Sequence, residues 1–155
     1  VLGAFILGLQ NDTPETILNR TNYILNSDID IIQASVLTPL PGTELYKRLE
    51  SEGRLIHTNY PKDWEKYNYA EIVFQPEKMS VNEFEAAVSE SWDRLYSNKS
   101  LQKKFLSTLK LTKNPSTAIW ALTSNLHLRN FVFEGTKERI ELRDIIPQLS
   151  QMQTG

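Results

Sequence analysis

The sequence predicts an α/β fold with a mainly helical C-terminal part. Three observations predict it: a continuous apolar run over residues 2–9, a second over residues 31–37 with a helical pattern between them, and helical periodicity almost throughout beyond Ser80. In order along the chain, Leu2-Gly3-Ala4-Phe5-Ile6-Leu7-Gly8-Leu9 has the length and continuity of a strand buried on both faces of a parallel sheet. Thr13 is placed to cap a helix. Pro14 suits the first helical position, Glu15 favours the positive helix end, and Ile17, Thr21, Ile24 and Leu25 fall on one face of a helix reaching about Ser27. The strand Ile31 to Leu37 completes a right-handed strand, helix, strand unit.

Thr38-Pro39-Leu40-Pro41-Gly42-Thr43 then turns from strand end into a helix over residues 44–52, in which Leu45 and Leu49 stand one turn apart. Gly53 is placed to end it in the left-handed conformation, with Leu55 packing back. Trp64, Tyr67 and Tyr69 are read as anchors that pin a linker to the core, and Glu71 to Phe74 as a short strand. Ser80-Val81-Asn82-Glu83 is a capping box opening a helix to about Tyr96, with Phe84, Val88, Trp92 and Leu95 as its apolar stripe. Helices are expected over residues 101–111, from Asn114-Pro115 through Leu128, and more weakly from Thr136 to Leu149, before a polar, frayed tail over residues 148–155.

Composition sets limits. The chain has 155 residues, a net charge of -2 and dispersed charges, which argues against nucleic acid as a partner and against a polybasic membrane anchor. No apolar run has the roughly 18 residues needed for a membrane span. A soluble, cytoplasmic chain is the expectation. Cysteine is absent and the two histidines, His57 and His127, stand far apart, so these residues offer no thiolate or histidine ligand set for a metal. Val1 leads directly into a strand with nothing upstream to pair with it, and the chain is read as the C-terminal part of a larger protein.

Two strand-to-helix junctions are candidate site elements, since ligands in parallel α/β folds bind beyond the C-terminal ends of the strands. At Gly8-Leu9-Gln10-Asn11-Asp12-Thr13 a glycine can bring backbone N-H groups close to a cofactor, although an ordinary loop is the favoured reading. Asp12 and Glu15 at a helix start are read as capping and dipole residues rather than an acid-base pair. Pro39 and Pro41 stiffen their loop, which serves either a plain turn or the presentation of backbone groups to a ligand. His57 is assigned no role.

Gly3-Ala4-Phe5-Ile6-Leu7-Gly8-Leu9, then Asp12-Thr13-Pro14-Glu15-Thr16, then Leu37-Thr38-Pro39-Leu40-Pro41-Gly42-Thr43-Glu44-Leu45-Tyr46, resemble in order and spacing the radical S-adenosylmethionine enzymes, most closely those with an N-terminal cobalamin-binding domain. Glu52-Gly53-Arg54-Leu55, Trp64, Tyr67, Val73-Phe74-Gln75-Pro76 and Met79-Ser80 resemble that group's C-terminal extension. The resemblance implies the last two strand-helix units of a partial (β/α)6 TIM-like barrel over residues 1–57, a linker with a short strand and a capped helix over 58–97, and a helical extension over 98–155. It implies that Ile6, Gly8, Leu9 and Gln10 on one strand end, and Leu37, Thr38 and Pro39 on the next, border the adenine of S-adenosylmethionine. Ala4 and Asn11 depart from the family pattern, where glycine and glutamate are common. The implied cofactors are S-adenosylmethionine, a 4Fe-4S cluster held by a C-x3-C-x2-C motif absent from this chain, and, in methylating members, cobalamin. The implied partners are the missing N-terminal part of the same protein and a small-molecule substrate, hydrophobic or tetrapyrrole-like. The other reading, from a different class, is a non-catalytic α/β module that works by protein contacts through its C-terminal helices.

Overall fold

The computed structural model describes residues 1–133. Its elements run β1 (Leu2–Leu7), α1 (Pro14–Asn26), β2 (Ile31–Val36), α2 (Glu44–Ser51), a 3-10 turn (Lys62–Lys66), α3 (Val81–Leu95), α4 (Asn98–Thr112) and α5 (Pro115–Val132). The weak helix expected over residues 136–149 and the polar tail lie outside the described residues. Strands β1 and β2 form a two-stranded sheet. The Ile31 N-H is donated to Val1 O at one end and the Leu37 N-H to Leu7 O at the other, a constant offset that makes the pair parallel, as a helical crossover requires.

The expectation that β1 is buried on both faces is corrected. Its exposure alternates, with Leu2 and Ile6 about half exposed and Leu7 fully buried. Successive side chains of a strand point to opposite sides, so an uninterrupted apolar run does not by itself mean two covered faces. In β2 the face made by Ile32, Ala34 and Val36 is buried, while Gln33 is exposed.

Two compact units divide the described chain, one of Val1–Ala4, Thr21–Gln33 and residues 92–133, the other of Phe5–Arg20 and Ala34–Ser91. In the first, α4 and α5 pack against each other and Trp92 meets Phe133 edge to face at 6.4 Å. Its helices bind strand and loop backbone directly. Asn125, 1% exposed, accepts the Ile32 N-H at 2.9 Å and donates to Asp30 O at 2.8 Å and Ala121 O at 3.0 Å. The Tyr96 hydroxyl donates to Ile32 O at 2.9 Å, and the Lys104 ammonium donates to Ile24 O and Ser27 O at the end of α1.

In the second unit the core holds Leu7, Ile17, Val36, Leu49, Val73, Phe74 and Phe84. The capping box forms as its residues dictate, with the Ser80 N-H donated to Glu83 and the Glu83 N-H to the Ser80 hydroxyl. Glu71 to Phe74 makes only an isolated antiparallel bridge between Leu55 and Phe74, with the Ile56 N-H donated to Val73 O and the Gln75 N-H to Arg54 O on either side of it. Of the three expected anchors only Tyr67 is buried. Trp64 and Tyr69 are 39% and 47% exposed; Tyr69 sits at φ 67° in a turn, and Trp64 stacks on Tyr60 at 3.9 Å instead of entering the core.

Candidate functional site

The first strand end is shaped by a glycine and a carboxylate. Gly8 follows the buried Leu7 at φ 94°, a conformation that side chains rarely adopt, and a Cβ added there would stand 2.2 Å from the Phe84 ring. Asp12, 4% exposed, then accepts the Gly8 N-H at 3.0 Å and the Leu9 N-H at 2.9 Å. Arg20, two turns along α1 from the loop, grips the same carboxylate with both guanidinium nitrogens, at 2.7 and 3.0 Å, and donates to Ile6 O at 2.9 Å. Burial alone would push the Asp12 carboxyl up. The Arg20 hydrogen bonds and charge, with the Leu9 and Gly8 N-H groups, outweigh burial and hold its pKa below the usual carboxylate value.

This corrects one expectation. Asp12 is not a helix cap but the clamp of the strand-end loop; helix α1 takes its cap hydrogen bond from the Thr13 hydroxyl, which accepts the Thr16 N-H. The N-H groups of Gly8 and Leu9 are both donated to Asp12 within the loop. At this strand end the apolar Ile6 and Leu9 are 47% and 45% exposed. Gln10 is exposed, its amide donating to Glu77 at 3.3 Å and accepting from Arg48 at 3.5 Å.

The second strand end lies beside the first, because the Leu37 N-H on Leu7 O sets Leu37 level with Gly8 in a parallel ladder. Leu37 is partly exposed and Pro39 buried, while the buried Thr38 donates its hydroxyl to Val36 O. Beyond Gly42, at φ 84°, the Thr43 side chain donates to Leu40 O at 2.6 Å and accepts the Tyr46 N-H at the start of α2. The loop is therefore fixed at both ends, by the ladder and by a helix cap.

Sequence reasoning missed a chain of three phenols. Tyr67 donates to the His57 carbonyl at 2.9 Å, which leaves its oxygen to accept from Tyr60 at 2.9 Å, and Tyr60 in turn to accept from Tyr46 at 2.8 Å. Each donation disfavours ionisation of the donor: Tyr46, which donates to Tyr60, is raised above the usual phenol value, with burial adding to it. These tyrosines share no spacing that would have marked them. The His57 imidazole meets Lys66 Nζ at 3.1 Å.

The donor chemistry bears on cofactors in two ways. The exposed apolar side chains of Ile6 and Leu9 fit the face of a purine ring, which asks for nonpolar contact and no charge. An iron-sulfur cluster does not fit: the sequence has no cysteine, and among the described residues no three His, Asp or Glu side chains converge. Nor, among the described residues, is any helix long and apolar enough to cross a membrane.

Residues 43–136 match a family described as a domain of unknown function, DUF4070. The chain belongs to the DUF4070 family. This domain is found in cobalamin-binding radical S-adenosylmethionine enzymes, the group that the N-terminal motifs resemble. Over 57 residues the DUF4070 chain is 44% identical to the hopanoid C-2 methylase of Rhodopseudomonas palustris, covering 37% of this chain and 11% of that protein. Over 79 residues it is 30% identical to the bacteriochlorophyllide d C-12(1)-methyltransferase of Chlorobaculum tepidum, covering 51% and 16%. Over 97 residues it is 28% identical to the anaerobic magnesium-protoporphyrin IX monomethyl ester cyclase of Cereibacter sphaeroides, covering 63% and 15%. The matches thus span no more than about a sixth of each of these relatives. No solved structure matches the chain.

Proposed function

We propose that this DUF4070 chain is a C-terminal part of a radical S-adenosylmethionine enzyme, a methyltransferase-like one acting on a rigid hydrophobic or tetrapyrrole-like substrate, with β1 and β2 as the last two strands of a partial (β/α)6 barrel. The relatives support the substrate class, since by name one acts on a hopanoid and two on tetrapyrroles. Cluster and S-adenosylmethionine, with cobalamin in a methylating enzyme, would supply the radical or methyl chemistry, and the cluster's ligands would come from outside these 155 residues.

The observation that carries the reading is the pair of adjacent, internally braced strand ends with apolar side chains turned outward. Ile6 and Leu9 would form a nonpolar wall against the adenine, excluding water from its face. Gly8, clamped by Asp12, would fix the height of that wall. Gln10, tied to Glu77 and Arg48, would border its outer edge, and Leu37, Thr38 and Pro39 would form the neighbouring rim at little ordering cost.

The test uses the longer protein that carries this chain, purified without oxygen and with its cluster reconstituted. Ile6→Asp replaces an exposed apolar contact by a charge, so the fold should survive while the KM for S-adenosylmethionine rises roughly tenfold or more. An unchanged KM in a folded variant would remove the adenine wall from the account. A protein that never consumes S-adenosylmethionine would favour the protein-contact module.

A further inference from the structure

Within the first unit a cleft of about 340 Å³ opens where α4 begins, between the end of α3 and the end of α1. It is lined by Arg94, Ser97, Lys99, Ser100 and Lys103 together with the last turn of α1, and no acidic side chain is among its walls. The nearby Asp28 and Asp30 act on Lys104 instead, whose ammonium is occupied by carbonyls of α1 and the loop after it.

Three independent features converge on an anion. First, the cleft faces the N-terminus of a 15-residue helix without an acidic residue in its first turn, where unpaired N-H groups and the aligned peptide dipoles favour negative charge. Ser97 caps the helix by accepting the Ser100 N-H at 3.1 Å; the Asn98 and Lys99 N-H groups precede the first intrahelical acceptor. Second, three cationic side chains surround it. Arg94 also donates to Asn22 at 3.3 Å and Lys103 makes a long contact of 3.4 Å with Leu25 O, so both are held at the rim. Third, Ser100 is 7% exposed and its hydroxyl is the one buried side-chain polar atom among the described residues without a hydrogen-bond partner. A buried hydroxyl is ordinarily satisfied, and a donor left over in the wall of a cationic cleft calls for an acceptor.

We propose that this cleft is a phosphate-binding site, filled by a phosphate monoester group: the α4 N-H groups and the Ser100 hydroxyl would donate to its oxygens, and Lys99, Lys103 and Arg94 would balance its charge. Three cations and a helix N-terminus match a dianionic phosphate better than a single carboxylate. The group could belong to a soluble phosphorylated molecule or to a lipid headgroup.

The test titrates the full 155-residue chain with inorganic phosphate while following backbone amides by 15N NMR, with chloride at matched ionic strength as the control. A saturable shift confined to Asn98, Lys99 and Ser100 is expected. Ser100→Ala deletes a hydroxyl that bonds nothing, so it should keep the fold and weaken phosphate roughly tenfold, and Lys99→Gln should weaken it several-fold. No saturable shift at millimolar phosphate, or equal binding by both folded variants, would overturn the site. Sedimentation with phosphatidylcholine vesicles, with and without phosphatidic acid, separates the sources: retention on phosphatidic acid that Lys99→Gln abolishes assigns a headgroup, and phosphate binding without retention assigns a soluble ligand.

Discussion

The two units fix β1 and β2 backbone by opposite means. In the second, Asp12 binds the N-H groups of Gly8 and Leu9, four and three residues away, and Arg20 eight residues away, so the strand-end loop is tied by its own neighbours in sequence. In the first, the backbone around Ile32 is held by Tyr96 and Asn125, 64 and 93 residues distant. The difference teaches where information resides. A loop clamped by local side chains can keep its shape with little reference to the rest of the chain, whereas a strand held by helix-borne amides and phenols is correct only after the helices dock.

The largest expected effect breaks that contrast on purpose. Gly8→Ala places a Cβ against the Phe84 ring at a positive φ and should destabilise by about 4 kcal/mol in urea denaturation, the sum of backbone strain and overpacking. Phe84→Leu should relieve about half of that in a double-mutant cycle. Strict additivity would mean that Phe84 imposes nothing on the loop and that the Asp12 clamp alone shapes it.

Asp12→Ala follows, at about 3 kcal/mol, because it leaves a mostly buried guanidinium and two N-H groups without their acceptor. The sign with pH is fixed by the direction of the shift. A carboxyl whose folded pKa lies below its unfolded value of about 3.9 stabilises fully above that value and loses its contribution as pH falls through the folded pKa. Wild-type stability should therefore fall below about pH 4, and Asp12→Ala should flatten that acid limb.

Asn125→Ala sharpens the other side of the comparison. It strips partners from the Ile32 N-H and the Asp30 carbonyl and should cost about 2 kcal/mol, with faster hydrogen exchange at Ile32 while the Gly8 and Leu9 amides stay protected. Equal acceleration at both places would show the units to be one cooperative block.

Legibility followed the same division. The α1 face of Ile17, Thr21 and Ile24, the Ser80–Glu83 capping box, the Asn114 cap with Pro115, and the stripe of Phe84, Val88, Trp92 and Leu95 were readable because short-range periodicity and capping chemistry create them. The role of Asp12 was misread even though its partners are local. An acidic residue ahead of a helix fits a cap and a loop clamp equally well, and only the fold of the strand end, which brings the Gly8 and Leu9 N-H groups and Arg20 to the Asp12 carboxylate, decides between them. The start of α4 was placed three residues late because its first turn, Asn98-Lys99-Ser100, carries no apolar periodicity, although Ser97 is a sound cap.

By itself the sequence determined the order of strands and helices, the stiffness of the proline loop after β2 and the motifs that resemble the radical S-adenosylmethionine group, since all of these rest on residues close together in the chain. Tertiary structure alone decided which face of β1 stays open, that Gly8 answers to Phe84, that three tyrosines align their hydroxyls, and that Ser100 stands unpartnered among cations. Gly8 and Phe84 are remote in sequence, and even the tyrosines and the Ser100 cleft, whose residues lie closer in the chain, take their geometry from packing that no local pattern encodes.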